Sequence, residues 1–305
     1  MRPAWLIESG VYGDEAAPLL AEIRRQGMTA GVVPHGAIRA RAGPVVAGGR
    51  PLDPDACVIG YGAYPFAREI LSQRRWRPGA WCSEEGLDCS TYYGYFGPFL
   101  LNREHAILPG VEAIRRRDEL FAAFGRDGRV FVRPAGCDKL IVGRCVDLGS
   151  FAAALAPARY DPATRVVVAA PRSLGREWRI IVIDGRVIAG SRYAVKGVRA
   201  IDPEFPAEVR AFAEAILAEV RWRPDPAFML DLGESEGELR LVELNSFSGS
   251  WLYRCDLPAV VAAASDLASR TWLESRPLDH RPIAARNGAA QAASSADSGG
   301  AGGPP

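Results

Sequence analysis

The spacing of apolar and polar residues changes character along this chain and divides it in two. Ala4-Trp5-Leu6-Ile7-Glu8 is a short apolar run that reads as a strand, and an amphipathic stretch follows Gly13-Asp14 to about Gln26. Apolar runs return at Met28 to Val33 and at Ala56 to Tyr61, and helical spacing resumes from Pro65 to Arg75. Strands alternating with helices predict a parallel sheet of βαβ units over residues 1–110. This region ends in an aromatic run (Tyr92, Tyr93, Tyr95, Phe96, Phe99), whose plain use is packing between domains.

After Gly110 the pattern is mostly that of strands. A helix is expected over 112–124, with Arg115, Arg116 and Arg117 on a solvated face, and another over about 149–155. Strands are expected at 130–133, 139–143, 165–170, 178–183 and 186–194. Asp184-Gly185 sits between two of them and predicts a tight hairpin, because a type I′ turn needs positive φ at both central positions. A helix from Pro206 to Val220 precedes a last hairpin, 227–232 with 238–245, and Leu257 to Leu273 reads as a closing helix. The fold class is therefore α/β in the first region and α+β in the second, 111–278. Residues 279–305 run into Ala, Gly, Ser and Pro low complexity, which cannot bury enough surface to order, so a disordered tail is expected.

Composition narrows the classes. A net charge of +1 supplies no general attraction to nucleic acid or to an anionic membrane, and neither is expected as a partner. Six cysteines without a CxxC pair fit reduced thiols. The N-terminus meets Glu8 too early for a secretory segment, and the apolar stretch Leu257 to Ala264 is too short for a membrane span. A cytoplasmic protein is expected. Three histidines exclude a His-rich metal site, and no GxSxG, GxxxxGK[ST] or strand-borne GxGxxG occurs.

The basic residues are lopsided: two lysines, Lys139 and Lys196, stand against thirty-five arginines. Each lies beside an arginine on β-rich sequence, a cationic cradle suited to a polyphosphate. Arg133-Pro134-Ala135-Gly136-Cys137-Asp138-Lys139 reads as a small turn between strands, offering backbone N–H groups with cations on either side. Glu243 and Asn245, two apart on a strand, share a face, and Asp231 lies on the partner strand. Leu241 is expected half-buried on that same face. Two carboxylates and an amide oxygen are hard donors of the kind Mg²⁺ takes together with phosphate oxygens, although an ordinary solvated hairpin would look alike. The strand 166–170 ends at Pro171, leaving backbone groups able to meet an adenine edge, and Glu177 in Gly175-Arg176-Glu177-Trp178-Arg179 can accept from ribose hydroxyls.

These elements in this order, over roughly 112–255, resemble the ATP-grasp superfamily. Arg133/Lys139, Glu177-Trp178-Arg179 and Ser191-Arg192-Tyr193 look most like its R2K clade. The resemblance implies a Rossmann-like N-terminal domain followed by a two-subdomain ATP-grasp fold. ATP would lie between the subdomains, with Arg133 and Lys139 on its phosphates, the backbone of Ala169 and Ala170 on adenine, and Glu177 on ribose. Asp231, Glu243 and Asn245 would carry Mg²⁺, while Lys196 and Arg192 would face the γ-phosphate or an acyl phosphate. Two departures stand out: Ala169-Ala170 where relatives have an acidic or polar hinge residue, and Met229 where many have an arginine. Arg179 or Arg192 would then supply that charge. The implied activity is an Mg²⁺- and ATP-dependent ligase that joins a small-molecule or peptide carboxylate to an amine-type nucleophile through an acyl phosphate. The alternative is an ATP-binding regulatory or scaffold module without turnover.

Overall fold

A computed structural model describes residues 2–34, 36–38, 45–137, 141–161 and 163–276. Lys139 and the tail expected at 279–305 lie outside the described residues.

The first region follows β1 (Ala4–Glu8), α1 (Ala16–Arg25), β2 (Thr29–Val33), a small hairpin β3 (Val46–Ala47) and β4 (Arg50–Pro51), β5 (Cys57–Tyr61), α2 (Tyr64–Gln73) and β6 (Arg77–Gly79). Strands β2-β1-β5-β6 pair in that order, all parallel. Every residue of β1 and β5 is buried, which is why these segments read as unbroken apolar runs rather than as alternation. α1 buries Leu19 and Ile23, and α2 buries Phe66, Ala67 and Ile70, each at helical spacing.

Helix α3 (Cys89–Phe96) starts at Asp88, whose carboxylate accepts the Ser90 N–H at 2.8 Å. It carries Tyr92, Tyr93 and Phe96 into a core shared with Trp178, Ile180 and Phe228, so the aromatic run does join the two regions. Next come β7 (His105–Pro109), α4 (Gly110–Arg115), α5 (Arg117–Phe124), β8 (Arg129–Pro134), β9 (Arg144–Asp147), α6 (Phe151–Ala154), α7 (Ala156–Tyr160) and β10 (Arg165–Ala169). They build an antiparallel sheet in the order β7-β10-β8-β9. By its pairing with β10, β7 belongs to this sheet, so a boundary at 110 cuts through it. Of the strand expected at 139–143, residues 141–143 are described and lie outside any strand; the neighbouring strand is Arg144–Asp147. Ile141 is apolar because it packs into this core, and Val142 is exposed, so the run signalled contact rather than pairing.

The third sheet comprises β11 (Arg176–Ile183), β12 (Arg186–Val195), β13 (Val198–Asp202), β14 (Ala227–Ser235) and β15 (Glu238–Ser246), in the order β13-β12-β11-β14-β15, with α8 (Ala207–Glu219) and α9 (Leu257–Glu274) beside it. The β11–β12 turn has φ of 54° at Asp184 and 70° at Gly185, as the Asp-Gly pair predicted. One face (Trp178, Ile180, Val182, Phe228, Leu230, Leu232) is covered by α3 and α8. On the other face Ile181, Ile183, Ala227 and Met229 join Trp5, Ile7 and Val260, Val261 and Ala264 of α9. That second face is apolar over half of its length only, and the remaining half carries charge.

A β-bulge sets which residues reach the charged half. Asp231 pairs with Glu243, but the next residue, Leu232, pairs with Leu241, leaving Val242 as the extra residue. The phase of β15 therefore reverses at Val242. Leu241 does not share a face with Glu243: it is fully buried in the opposite core beside Leu232 and Leu244. Burying such a leucine contributes about 1.5–3 kcal/mol, which holds the bulge in place. Among the described residues, no helix is long and apolar enough to cross a membrane.

Candidate functional site

Three strands present a row of charges because their registers coincide. Arg179 on β11 lies opposite Asp231 on β14, which lies opposite Glu243 on β15. Arg179 binds Asp231 with both arms of its guanidinium, Nε to Oδ1 at 2.8 Å and Nη2 to Oδ2 at 2.7 Å. The two side chains are 5% and 1% exposed, so this is a desolvated ion pair rather than a surface contact. Burial by itself opposes the Arg179 charge, but Asp231 more than offsets it and the guanidinium is held well above its usual range. Asn245 donates to Asp231 at 3.0 Å and to Glu243 at 2.8 Å, tying the row together.

The second sheet reaches across to this row. Arg133, on β8, donates from Nη2 to Glu243 Oε2 at 2.7 Å, so the basic segment near residue 135 and the acidic hairpin share one cleft. The cleft encloses about 360 Å³. Its apolar lining comes from Phe131, Ile141, Val142, Leu174 and Val242, with Arg133, Glu177 and Glu243 as charged groups. Apolar walls around a few converging charges are what a purine and its phosphates require. Glu177 accepts a hydrogen bond from Tyr193 Oη at 2.8 Å. Burial and the neighbouring Asp231 and Glu243 charges raise its carboxyl, while the tyrosine works against the shift.

A second cavity, about 280 Å³, lies on the other side of Arg179 and Asn245. Its walls are Tyr12, just beyond β1, Tyr64, just beyond β5, and Trp251 and Tyr253. Carboxyl ends of parallel strands are where open α/β sheets bind ligands, so its place follows from topology. Arg179 lines this cavity: Nη1 donates to the Trp251 carbonyl at 3.1 Å, and the guanidinium lies 5.0 Å from the Tyr253 ring.

Of the residues singled out in the sequence, Arg133, Glu177, Arg179, Asp231, Glu243 and Asn245 converge here. Others do not. Arg192 lies opposite Trp178, on the far face of the sheet, and pairs with Glu204 at 3.3 Å and Asp202 at 3.7 Å. A β-bulge between Ile181 and Val182, with Ile188 as the extra residue, shifts the register so that Arg192 meets Trp178 rather than Glu177, and Tyr193 reaches the site. Arg179 thus supplies the cation beside Asp231, and Met229 is fully buried in the core opposite Asn245. Lys196 is an exposed turn residue with φ of 51°, whose N–H donates to the Gly175 carbonyl at 2.6 Å; it stands at the rim beside Glu177. Ala169 is paired on both sides, to His105 and to Phe131, and Ala170 is buried, so neither lines the cleft. Leu174 takes that place on the linking segment. Tyr12, Tyr64, Phe131 and Leu174 were not singled out; the first two were findable as residues just beyond the carboxyl ends of parallel strands.

Asp231, Glu243 and Asn245 fit a hard divalent cation as a donor set. Among the described residues no three His, Cys, Asp or Glu form a metal group, so the amide oxygen is needed as a third ligand. Asn245 now turns its NH₂ toward both carboxylates; half a turn about its terminal torsion presents the oxygen instead.

Comparison with known proteins agrees with this geometry. The profile of the ATP-grasp domain, R2K clade family 3, matches residues 62–264. A search of curated proteins finds no match to the chain. Among solved structures, the chain is similar to D-cycloserine synthetase DcsG, with 14% identity and a TM-score of 0.59 over 87% of this chain and 99% of that one. It is similar to the ATP-grasp ligase PsnB complexed with a minimal precursor, with 14% identity and a TM-score of 0.54 over 86% and 98%. D-alanyl-alanine synthetase A from Vibrio cholerae O1 biovar eltor str. N16961 shares 11% identity and a TM-score of 0.54 over 89% and 99%. At these identities the likeness is one of fold.

Proposed function

The chain belongs to the R2K clade of the ATP-grasp proteins, family 3, and from that premise we propose that it is an ATP-dependent ligase joining a carboxylate to an amine through an acyl phosphate. The observation that carries this reading is the contact of Arg133 with Glu243, which brings a cation of one sheet and the acidic row of the other into a single cleft.

In this reading the adenine lies among Phe131, Ile141 and Leu174, the ribose meets Glu177, and Arg133 turns from Glu243 to the phosphates. Asp231, Glu243 and Asn245 would hold Mg²⁺, which would supply neutralisation of the phosphate charge. A carboxylate oxygen of the first substrate attacks the γ-phosphorus and ADP leaves; the amine then attacks the acyl carbon and expels phosphate. Arg179, fixed by Asp231 and the Trp251 carbonyl, stands between the nucleotide cleft and the cavity of Tyr12, Tyr64 and Trp251. That cavity is the place for the carboxylate. The shortage of histidine is no obstacle, because phosphoryl transfer needs fixed cations more than a base. Lys196 keeps its proposed phosphate role on the rim, and Lys139, outside the described residues, keeps the phosphate role proposed for it.

The test uses ¹⁸O-labelled carboxylic acids with Mg-ATP and a panel of amines. An acyl phosphate transfers one labelled oxygen to inorganic phosphate, with ADP release that depends on both partners. ATP binding without ADP across the panel would support the non-catalytic module instead. Arg133→Met is expected to weaken ATP binding at least tenfold in calorimetry.

A further inference from the structure

One polar side chain of the nucleotide cleft has no part in the steps proposed above. Tyr193 lines that cleft together with Glu177, and its Oη donates to Glu177 Oε2 at 2.8 Å. No other side chain donates to this carboxylate among the described residues. The backbone aims the tyrosine. Glu177 pairs with Ala194, but the next residue, Trp178, pairs with Arg192, which leaves Tyr193 as the extra residue of a second β-bulge in β12. A bulge of this kind redirects a side chain that a regular strand would place elsewhere, and bulges concentrate beside active sites. The ring is held as well as the hydroxyl. It stacks on Tyr253 with centroids 5.4 Å apart and planes inclined by 12°, and the Arg179 guanidinium lies 5.8 Å from its centroid.

We propose that Tyr193 is a positioning residue for the nucleotide: its hydroxyl fixes Glu177 so that the carboxylate meets the ribose hydroxyls, which makes the ligase select ribonucleotides over nucleotides lacking them. The proposal deepens the ligase reading and rests on it for what fills the cleft.

The chemistry of the pair carries the argument. An ionised carboxylate only accepts, at about four lone-pair sites, so Tyr193 occupies one and leaves room for two ribose hydroxyls. Glu177 is 6% exposed, and a carboxylate in that setting gains most from donors that water cannot easily replace. Burial raises its carboxyl, and the Tyr193 hydrogen bond works against that rise, which favours the form that accepts. Orientation matters as much. A glutamate side chain free to rotate would have to be ordered when the nucleotide arrives, whereas one already tied to a stacked tyrosine is set beforehand. A nucleotide without ribose hydroxyls gains nothing from this arrangement, because it has no donor to offer.

The experiment is a calorimetric titration of the full chain with Mg-ATP and with Mg-2′,3′-dideoxy-ATP. The parent is expected to bind ATP at least about tenfold more tightly than the dideoxy nucleotide. Tyr193→Phe keeps the ring and its stacking and removes only the donor. It should weaken ATP about fivefold and leave the dideoxy nucleotide within about twofold, so that most of the preference disappears. A general loosening of the cleft would weaken both nucleotides alike. In a Glu177→Ala background, Tyr193→Phe should shift neither affinity by more than about twofold, since the hydroxyl then has nothing to position. Binding of the dideoxy nucleotide reports that each variant is folded. A parent that binds both nucleotides equally, a preference that survives Tyr193→Phe, an equal loss for both nucleotides, or a full effect in the Glu177→Ala background would overturn the proposal. Each of these outcomes leaves the ligase reading to the ¹⁸O assay, whereas a parent that binds neither nucleotide overturns both.

Discussion

Consider Asp231→Leu. It removes both oxygens that hold Arg179, whose side chain is 5% exposed, and leaves a guanidinium buried against Tyr193 and Tyr253 with the Trp251 carbonyl as a remaining acceptor. Breaking one partner of a desolvated pair costs about 3–5 kcal/mol, because the survivor keeps its desolvation penalty and loses its compensation. For a chain of this size each kcal/mol lowers the melting temperature by about 2–4 °C, so a fall of about 6–20 °C is expected. Arg179→Met alone removes the counter-charge of Asp231, to which Asn245 still donates, and should cost a similar amount. The double variant Arg179→Met with Asp231→Leu replaces both charges by apolar groups, and should regain much of the loss, since buried ion pairs roughly break even against apolar replacements of similar size. Calorimetric melting of the four proteins closes a double-mutant cycle. A single variant that melts within 2 °C of the parent, or a double variant whose loss equals the sum of the singles, would refute the claim that the pair is desolvated and coupled.

Two further outcomes are expected. Burial raises the Asp225 carboxyl to about 7, against the Ser83 N–H that donates to it at 2.6 Å. A carboxyl raised in the folded state holds its proton there more tightly than in the unfolded chain. The stability it contributes is therefore present below about pH 4 and lost as pH rises through about 7, by no more than about 4 kcal/mol. Melting temperatures of Asp225→Asn and parent, compared from pH 4.5 to 8, should diverge in the variant's favour as pH rises; parallel curves would contradict this. Gly185→Ala places a side chain at φ of 70° and should cost about 1–2 kcal/mol, read as a lower urea midpoint at unchanged slope.

Much of the site was legible along the chain because its residues sit on strands, where period two decides which side chains share a face. Glu243 with Asn245, and Glu177 with Arg179, follow from that rule alone, as does the turn at Asp184-Gly185. Arg192 and Leu241 escaped it for one reason: a bulge in the same strand, at Ile188 and at Val242, reverses the phase with one extra residue, and bulges are set by cross-strand packing rather than by local composition. Ala169 and Ala170 escaped it differently, since a short apolar strand looks alike whether its edges are bare or paired on both sides.

What the amino-acid order determined by itself is the inventory: a parallel αβ region, an antiparallel region, few histidines, and a succession of cations and acids matching one superfamily. Only the tertiary structure decided which of them meet. Arg133 and Glu243 are 110 residues apart, and their 2.7 Å contact exists because two sheets fold over a common cleft. Local sequence specifies faces and turns through backbone geometry, while the pairing of distant charges depends on how much apolar surface the sheets bury between them.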